Sequence, residues 1–340
     1  MTKVIVLLIN YSDFNISGSR PLPQKEEAAK SGEAGEKGRF HLAGVTDLFQ
    51  ALPRKSEKSD GTGPVYPTVG TRLFPALDSM EKIMKELGKH PTPEEVDSSN
   101  VRRLIRAFQP VAEAFQGSYD AKPFDKAMGQ FTSLAGSLGK FKDVAVIRKE
   151  VQELFPGGVL PGKIDKKLAK YHDRQEEKFL DTFKDFRKEG LHKAIKVLSN
   201  PYSPDESSPK KIEKEDREIF RGYLKDMVSD VDNAGICHDD PDTFHDGRKK
   251  LRKLLNGVQS ARDLFPFSGE DLDKATKVVG TFGQAQDKYI AYEWLKDSGF
   301  ESEAKVMLSR YNEDQQVALK QGGEFMKSGV TERMKEALSQ

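Results

Sequence analysis

The chain has a single cysteine, Cys237, among 340 residues. A lone thiol excludes an internal disulfide framework and a thiolate metal cluster, and it suits a reducing compartment. Long apolar runs are also missing. Val4 to Ile9 is six residues, too short to span a bilayer and short for a signal-peptide core. No other stretch approaches membrane length, so we expect a soluble intracellular protein with no membrane contact. Neither sign of charge is in excess: Lys+Arg is 55 and Asp+Glu is 54, a net charge of +1. This excludes a globally basic protein of the histone type. Any polyanion site must be a local concentration of charge, balanced by acids elsewhere. Strand patterning is nearly absent as well.

What is present is helical patterning. Hydrophobic residues make up 36% and charged residues 32%, a polar balance that suits long amphipathic helices with one wet face. Residues 15–70 are rich in Gly, Pro, Ser, Lys and Glu, a composition that cannot bury enough apolar surface to order itself. A short apolar island, His41 to Leu52, sits inside that stretch. From about Arg72 onward apolar residues recur at helical spacing, as in Leu180, Phe183, Phe186, Leu191 and Ile195, or Phe220, Tyr223, Leu224, Met227 and Val231. Breakers such as HPTPEE, FPGGVLPG, NPYSPDESSP and DDPD separate these runs. The pattern predicts an all-α protein with eight or more helices.

A repeat lies within it. SNVRRLIRAF (Ser99 to Phe108) aligns with HDGRKKLRKL (His245 to Leu254), so Arg102 falls on Arg248, Arg103 on Lys249 and Arg106 on Arg252. Downstream, GSLGKFKD (Gly136 to Asp143) aligns with GTFGQAQD (Gly280 to Asp287). The offsets are 146 and 144, so the internal spacing is nearly kept. Two short matches in the same order predict a tandem duplication of a four-helix unit, jointed at NPYSPDESSP. The expected organisation is a polar extension over 1–75, one half over 76–205 and a second over 206–340.

The segment Arg248 to Lys253 carries five basic residues in six positions, in a nearly neutral protein. On a helical wheel His245, Arg248, Lys249 and Arg252 share one stripe, with Lys253 at its margin and Leu251, Leu254, Leu255 and Val258 opposite. Arg102, Arg103 and Arg106 form the same stripe in the first half, opposite Val101, Ile105 and Phe108. A solvated face would explain one such helix. Solubility does not require basic residues at matching positions in both halves with no acid between them. Like charges at i, i+3, i+4 and i+7 repel one another, and a polyanionic ligand would offset that cost.

These two motifs in duplicate resemble the CHAD domain, the conserved histidine α-helical domain. The second half carries the whole signature: His245, Arg248, Lys249, Arg252 and Lys253, then Phe282, Gly283 and Asp287. The first half carries Arg102, Arg103, Arg106, Leu138, Gly139, Lys142 and Asp143, with Ser99 at the histidine's place and Ala107 where a second basic residue is usual. The resemblance covers roughly residues 76–340. It implies two pseudo-symmetric antiparallel four-helix bundles around a basic central cleft or pore. It also implies binding of inorganic polyphosphate without a reaction, in the cytoplasm or at polyphosphate granules. By the motif match, phosphate contact falls to Arg102, Arg103, Arg106, Arg248, Lys249, Arg252 and Lys253, with Lys142 a weaker candidate. His245 either donates to phosphate when protonated or caps and packs the helix start. Asp143 and Asp287 are expected to orient arginines through salt bridges, and the glycines to allow close helix approach. Arg174, Arg187, Lys188 and Arg310 are basic residues that would extend the path. No cofactor and no metal are expected. The Glu-x-Glu-x-Lys signature of triphosphate-tunnel enzymes is absent, Glu213 to Arg217 being a near miss.

Three other motifs compete. GGVLPGK, Gly157 to Lys163, has phosphate-loop spacing, but Ile164 stands where Ser or Thr is needed and the preceding run is helical. HDDPDTFHD, His238 to Asp246, holds two His-Asp pairs. A metal phosphohydrolase draws such ligands from separate helices, and Asp242 and Thr243 read equally as a helix N-cap. Nucleic acid is the third option. Single-strand recognition uses aromatic stacking, and no aromatic residue occurs from His245 to Arg262. RNA and other polyanions remain the alternative partners, bound by the backbone alone.

Overall fold

The computed structural model describes residues 72–88, 90–201, 209–234 and 240–340, without the side chains of 209–213 and Ala234. The N-terminal extension up to residue 71, the apolar island, His238 and most of the joint lie outside these residues. Every regular element among the described residues is helical: α1 (Phe74–Glu86), α2 (Pro93–Ser98), α3 (Val101–Ala114), α4 (Ala121–Gln152), α5 (Gly162–Asp185), α6 (Leu191–Leu198), α7 (Pro209–Ala234), α8 (Pro241–Ser260), α9 (Gly269–Asp297), α10 (Glu301–Lys327) and α11 (Val330–Ala337). None of them is long and apolar enough to cross a membrane.

Local chemistry sets the start of the two motif helices. The short helix α2, which leads into α3, starts on a reciprocal capping box: the Glu95 amide donates to Thr92 Oγ1 at 3.2 Å and the Thr92 amide donates to Glu95 Oε2 at 2.9 Å. Asn100 then turns the chain in the left-handed region, at φ 61°, a conformation that asparagine tolerates better than most residues. Before α8 the cap is Asp240, whose Oδ2 accepts from the Thr243 amide at 2.9 Å and from its hydroxyl at 2.8 Å, with Pro241 in the first turn. This corrects the expected cap: Thr243 is the donor, and Asp242 lies inside the first turn. GGVLPGK spans the turn between α4 and α5, where Gly157 and Gly158 adopt φ of 67° and 69°, and the first two residues of α5. α5 runs into α6 through a π-helical turn, Phe186–Gly190, which spacing alone did not show.

α3 packs on α4 and α8 on α9, while α3 also packs on α8 and α4 on α9. Phe108 meets Phe131 edge-on at 4.9 Å, and Phe244 stacks on Phe282 at 4.5 Å. The apolar stripes expected on the motif helices, including Ile105, Phe108, Leu251, Leu254 and Val258, are buried. One large core draws on residues from Leu73 to Leu338. A smaller one joins Val144, Ile147, Val151, Ile164 and Leu168 to Ala291, Trp294, Leu295, Ala304 and Met307. Both unite elements from before and after the joint. Along α4 the large core includes Leu138 and Phe141, and the small one begins at Val144; along α9 the switch falls between Ala285 and Ala291. Asp143 and Asp287 sit at these two switches.

Candidate functional site

Four arginines converge on this seam. Arg102 and Arg106 come from α3, and Arg248 and Arg252 from α8; all four are half-buried. Their charges act on one another across the two helices. Burial first, then Arg102, Arg252 and Arg248, pull the Arg106 guanidinium down to about 9, with Asp143 opposing. Burial, Arg248 and Arg102 bring Arg252 to about 10. Arg102 and Arg248 are lowered too, mainly by burial, against the pull of aspartates. All four keep their protons at neutral pH.

The aspartates do not neutralise them by contact. Asp143 on α4 and Asp287 on α9 face these arginines, yet neither forms an ion pair with any of the four among the described residues. Burial dominates: it raises the Asp143 carboxyl despite Arg102, Arg248 and Arg106, and pushes Asp287 up to about 6 despite Arg248. Nε of Arg102 and Nε of Arg248, at matching positions, are buried without a hydrogen-bond partner among the described residues. The seam therefore holds cationic donors in excess of acceptors. Guanidinium forks without paired carboxylates are suited to bind phosphate oxygens.

The remaining predicted residues are placed differently. Arg103 and Lys249 are exposed, on the outer side of their helices. Lys142 is paired with Asp97 at 3.0 Å. Lys253 turns away from the arginines: its Nζ is 2.6 Å from Glu113 and lies over the Tyr223 ring, while the Tyr223 hydroxyl donates to Glu113 at 2.7 Å. Its marginal wheel position, and Ala107 at the matching place, were the signals for this. His245 Nδ1 lies 2.6 Å from Gln286 Oε1. Burial keeps the imidazole below its ordinary pKa, with Arg248, Lys249 and Arg252 adding to the effect and Gln286 opposing it. The neutral ring thus donates from Nδ1 to Gln286. The alignment pairs Gln286 with Lys142, so each half has a polar side chain from the Gly-x-x-x-Asp helix reaching toward the start of its motif helix. Arg310 donates to the Glu153 carbonyl at 3.2 Å, and Arg187 and Lys188 lie in the π-helical turn.

Around His245 the described acids have other duties: Asp240 caps α8 and Asp246 pairs with Lys250 at 3.4 Å. Metal-type donors gather instead on α5, where His172, Asp173 and Glu176 bring ligand atoms within 4.8 Å of one another.

The fold and the seam define an all-helical protein that holds arginines from two packed helices against one another. It belongs to the CHAD domain family, whose match covers residues 50–296, so it reaches back beyond residue 76 and stops before α10. Among solved structures the chain is similar to PptA from Streptomyces chartreusis, with a TM-score of 0.57 and 14% identity over 78% of this chain and 99% of that one. It is also similar to the CHAD domain from the plant Ricinus communis, with a TM-score of 0.49 and 11% identity over 84% of this chain and 95% of that one. No curated protein matches the sequence.

Proposed function

We propose that this protein binds inorganic polyphosphate in the seam between α3 and α8 and catalyses no reaction on it. The carrying observation is the set of four half-buried arginines, two from each motif helix, with depressed pKa values and no paired carboxylate among the described residues. In this reading the chain is two pseudo-symmetric antiparallel four-helix bundles, and the seam is the floor of a basic cleft. Packing of α3 on α8 and of α4 on α9 supports that arrangement. Polyphosphate presents charge on every unit with no sugar or base between, which matches guanidinium groups stacked at one-turn spacing. Arg103 and Lys249 would meet the chain outside the seam. The protein would act as a soluble intracellular binder, in the cytoplasm or at polyphosphate granules.

Calorimetric titration with long-chain polyphosphate, repeated with single-stranded RNA at matched phosphate and salt, tests this. We expect saturable polyphosphate binding with little RNA binding. With four arginines engaged, log K should fall with log salt with a slope of about −3. Arg106→Ala with Arg252→Ala should weaken binding far more than Lys163→Ala with Lys327→Ala, two exposed lysines. Equal effects of the two pairs would reduce the seam to general surface charge, and equal RNA binding would make the protein a general polyanion binder. Shortening of the polyphosphate on incubation, abolished by a chelator, would point to the phosphohydrolase instead.

A further inference from the structure

Gly139 and Gly283 occupy matching places on α4 and α9, yet their surroundings differ. A methyl group on Gly139 would stand 2.7 Å from Arg102 Nη2 and 3.1 Å from its Cζ. Nothing lies within 4 Å of the same point on Gly283. The guanidinium of Arg102 therefore lies in the notch that the missing side chain leaves on α4. The expected reason for this glycine, close approach of two helix backbones, is not what occupies the space. The conflicting atoms are the tip of a flexible side chain, so an added methyl would displace Arg102 rather than α4.

We propose that Gly139 is a positioning residue: its notch aims Arg102 into the anion seam, a role that Gly283 does not have toward Arg248. This rests on the functional reading above. It makes the two halves of the site unequal. Arg102 is held by a shaped groove, whereas Arg248 is held without one. A glycine kept only for helix packing would make Gly139→Ala destabilising. Here alanine favours the helix, and the loss should fall on binding alone.

The test combines a readout of the side chain with a readout of the ligand. In arginine-labelled protein the Nε–H NMR signal of Arg102 is assigned by its loss in Arg102→Lys. Gly139→Ala should move that signal, leave the melting temperature unchanged or higher, and weaken long-chain polyphosphate binding about tenfold, the loss expected for one charge-assisted contact. Gly283→Ala should change none of these, and Gly139→Ala should have no further effect in an Arg102→Ala background. An unmoved Arg102 signal overturns the inference. So does a moved signal with unchanged affinity, an equal loss from both glycines, or a fall in melting temperature. If the wild-type chain binds no polyphosphate, the functional reading fails, and the Arg102 signal alone decides whether the notch positions the side chain.

Discussion

Replacing Arg106 with methionine should stabilise the ligand-free chain while it weakens polyanion binding. Folding lowers the Arg106 guanidinium from its ordinary range to about 9, chiefly by burial and then by Arg102, Arg252 and Arg248. Each unit corresponds to ~1.4 kcal/mol against the charged form. Exchange of a buried ionic group for an apolar one of similar volume gains about 1–4 kcal/mol in other proteins. Methionine keeps the volume and the contacts of the stem and removes one of four like charges. We expect a gain of about 1–3 kcal/mol, a rise of about 2–8 °C in melting temperature for a chain of this size. The sign with pH follows from the lowered pKa: the unfolded chain holds this proton more tightly than the folded one. The variant's advantage is thus full below pH 9 and shrinks as pH rises above it. Calorimetry and urea unfolding in phosphate-free buffer give both quantities. Polyphosphate should raise the wild-type melting temperature and have a much smaller effect on the variant. A lower melting temperature for Arg106→Met would refute the reasoning, because the arginine would then be serving the fold.

Two further outcomes follow from the groups beside the arginines. Folding raises Asp287 from 3.8 to about 6, so its favourable contribution is complete at low pH and is lost as pH rises through 6; Asp287→Asn should match wild-type stability near pH 4 and exceed it at pH 7, measured by urea unfolding at both. His245 is lowered from 6.5 and neutral at pH 8, so His245→Gln should cost little polyphosphate affinity there and more at acidic pH, by titration of both proteins across that range; an equal loss at both ends would show that its charge is not what it contributes.

The helices were legible because long amphipathic runs carry a strong period, and the burial of Leu251, Leu254 and Val258 opposite the basic stripe follows from that period alone. The convergence of Arg102, Arg106, Arg248 and Arg252 was legible for a second reason: two matching stretches of sequence put arginines at the same positions of two helices, and those helices pack on each other. What spacing cannot convey is which neighbour a side chain meets across the fold. Lys253 reads as the margin of the basic stripe and Lys142 as a weaker phosphate contact on the Gly-x-x-x-Asp helix, but Glu113 and Asp97 engage them from other helices. The aspartates read as salt-bridge partners because charge complementarity favours pairing. In the structure neither forms an ion pair with these arginines, and burial raises both carboxyl pKa values. The π-helical turn at Phe186–Gly190 coincides with the five-residue step from Phe186 to Leu191 in the apolar series, one residue longer than an α-helical turn allows, and that step was its only trace in the spacing.

A layer of like charges inside a folded chain needs compensation, and the packing around it shows the source. The seam runs between two apolar clusters, and each fully buried Leu or Phe in them contributes about 1.5–3 kcal/mol. The larger cluster includes residues of both α3 and α8, so the repulsion among the arginines cannot be relieved by letting these helices drift apart without opening that core. The arginines are held close by contacts that are not their own. That is the requirement for a preorganised anion site: the repulsion is already present before the ligand arrives, and binding removes it. On the function proposed above, it also accounts for how a protein with net charge +1 would attract a polyanion. In that proposal the attraction would depend on where the packing confines cations: Glu113 and Asp97 form their contact ion pairs with Lys253 and Lys142, and Asp97 acts on Arg102 only at longer range.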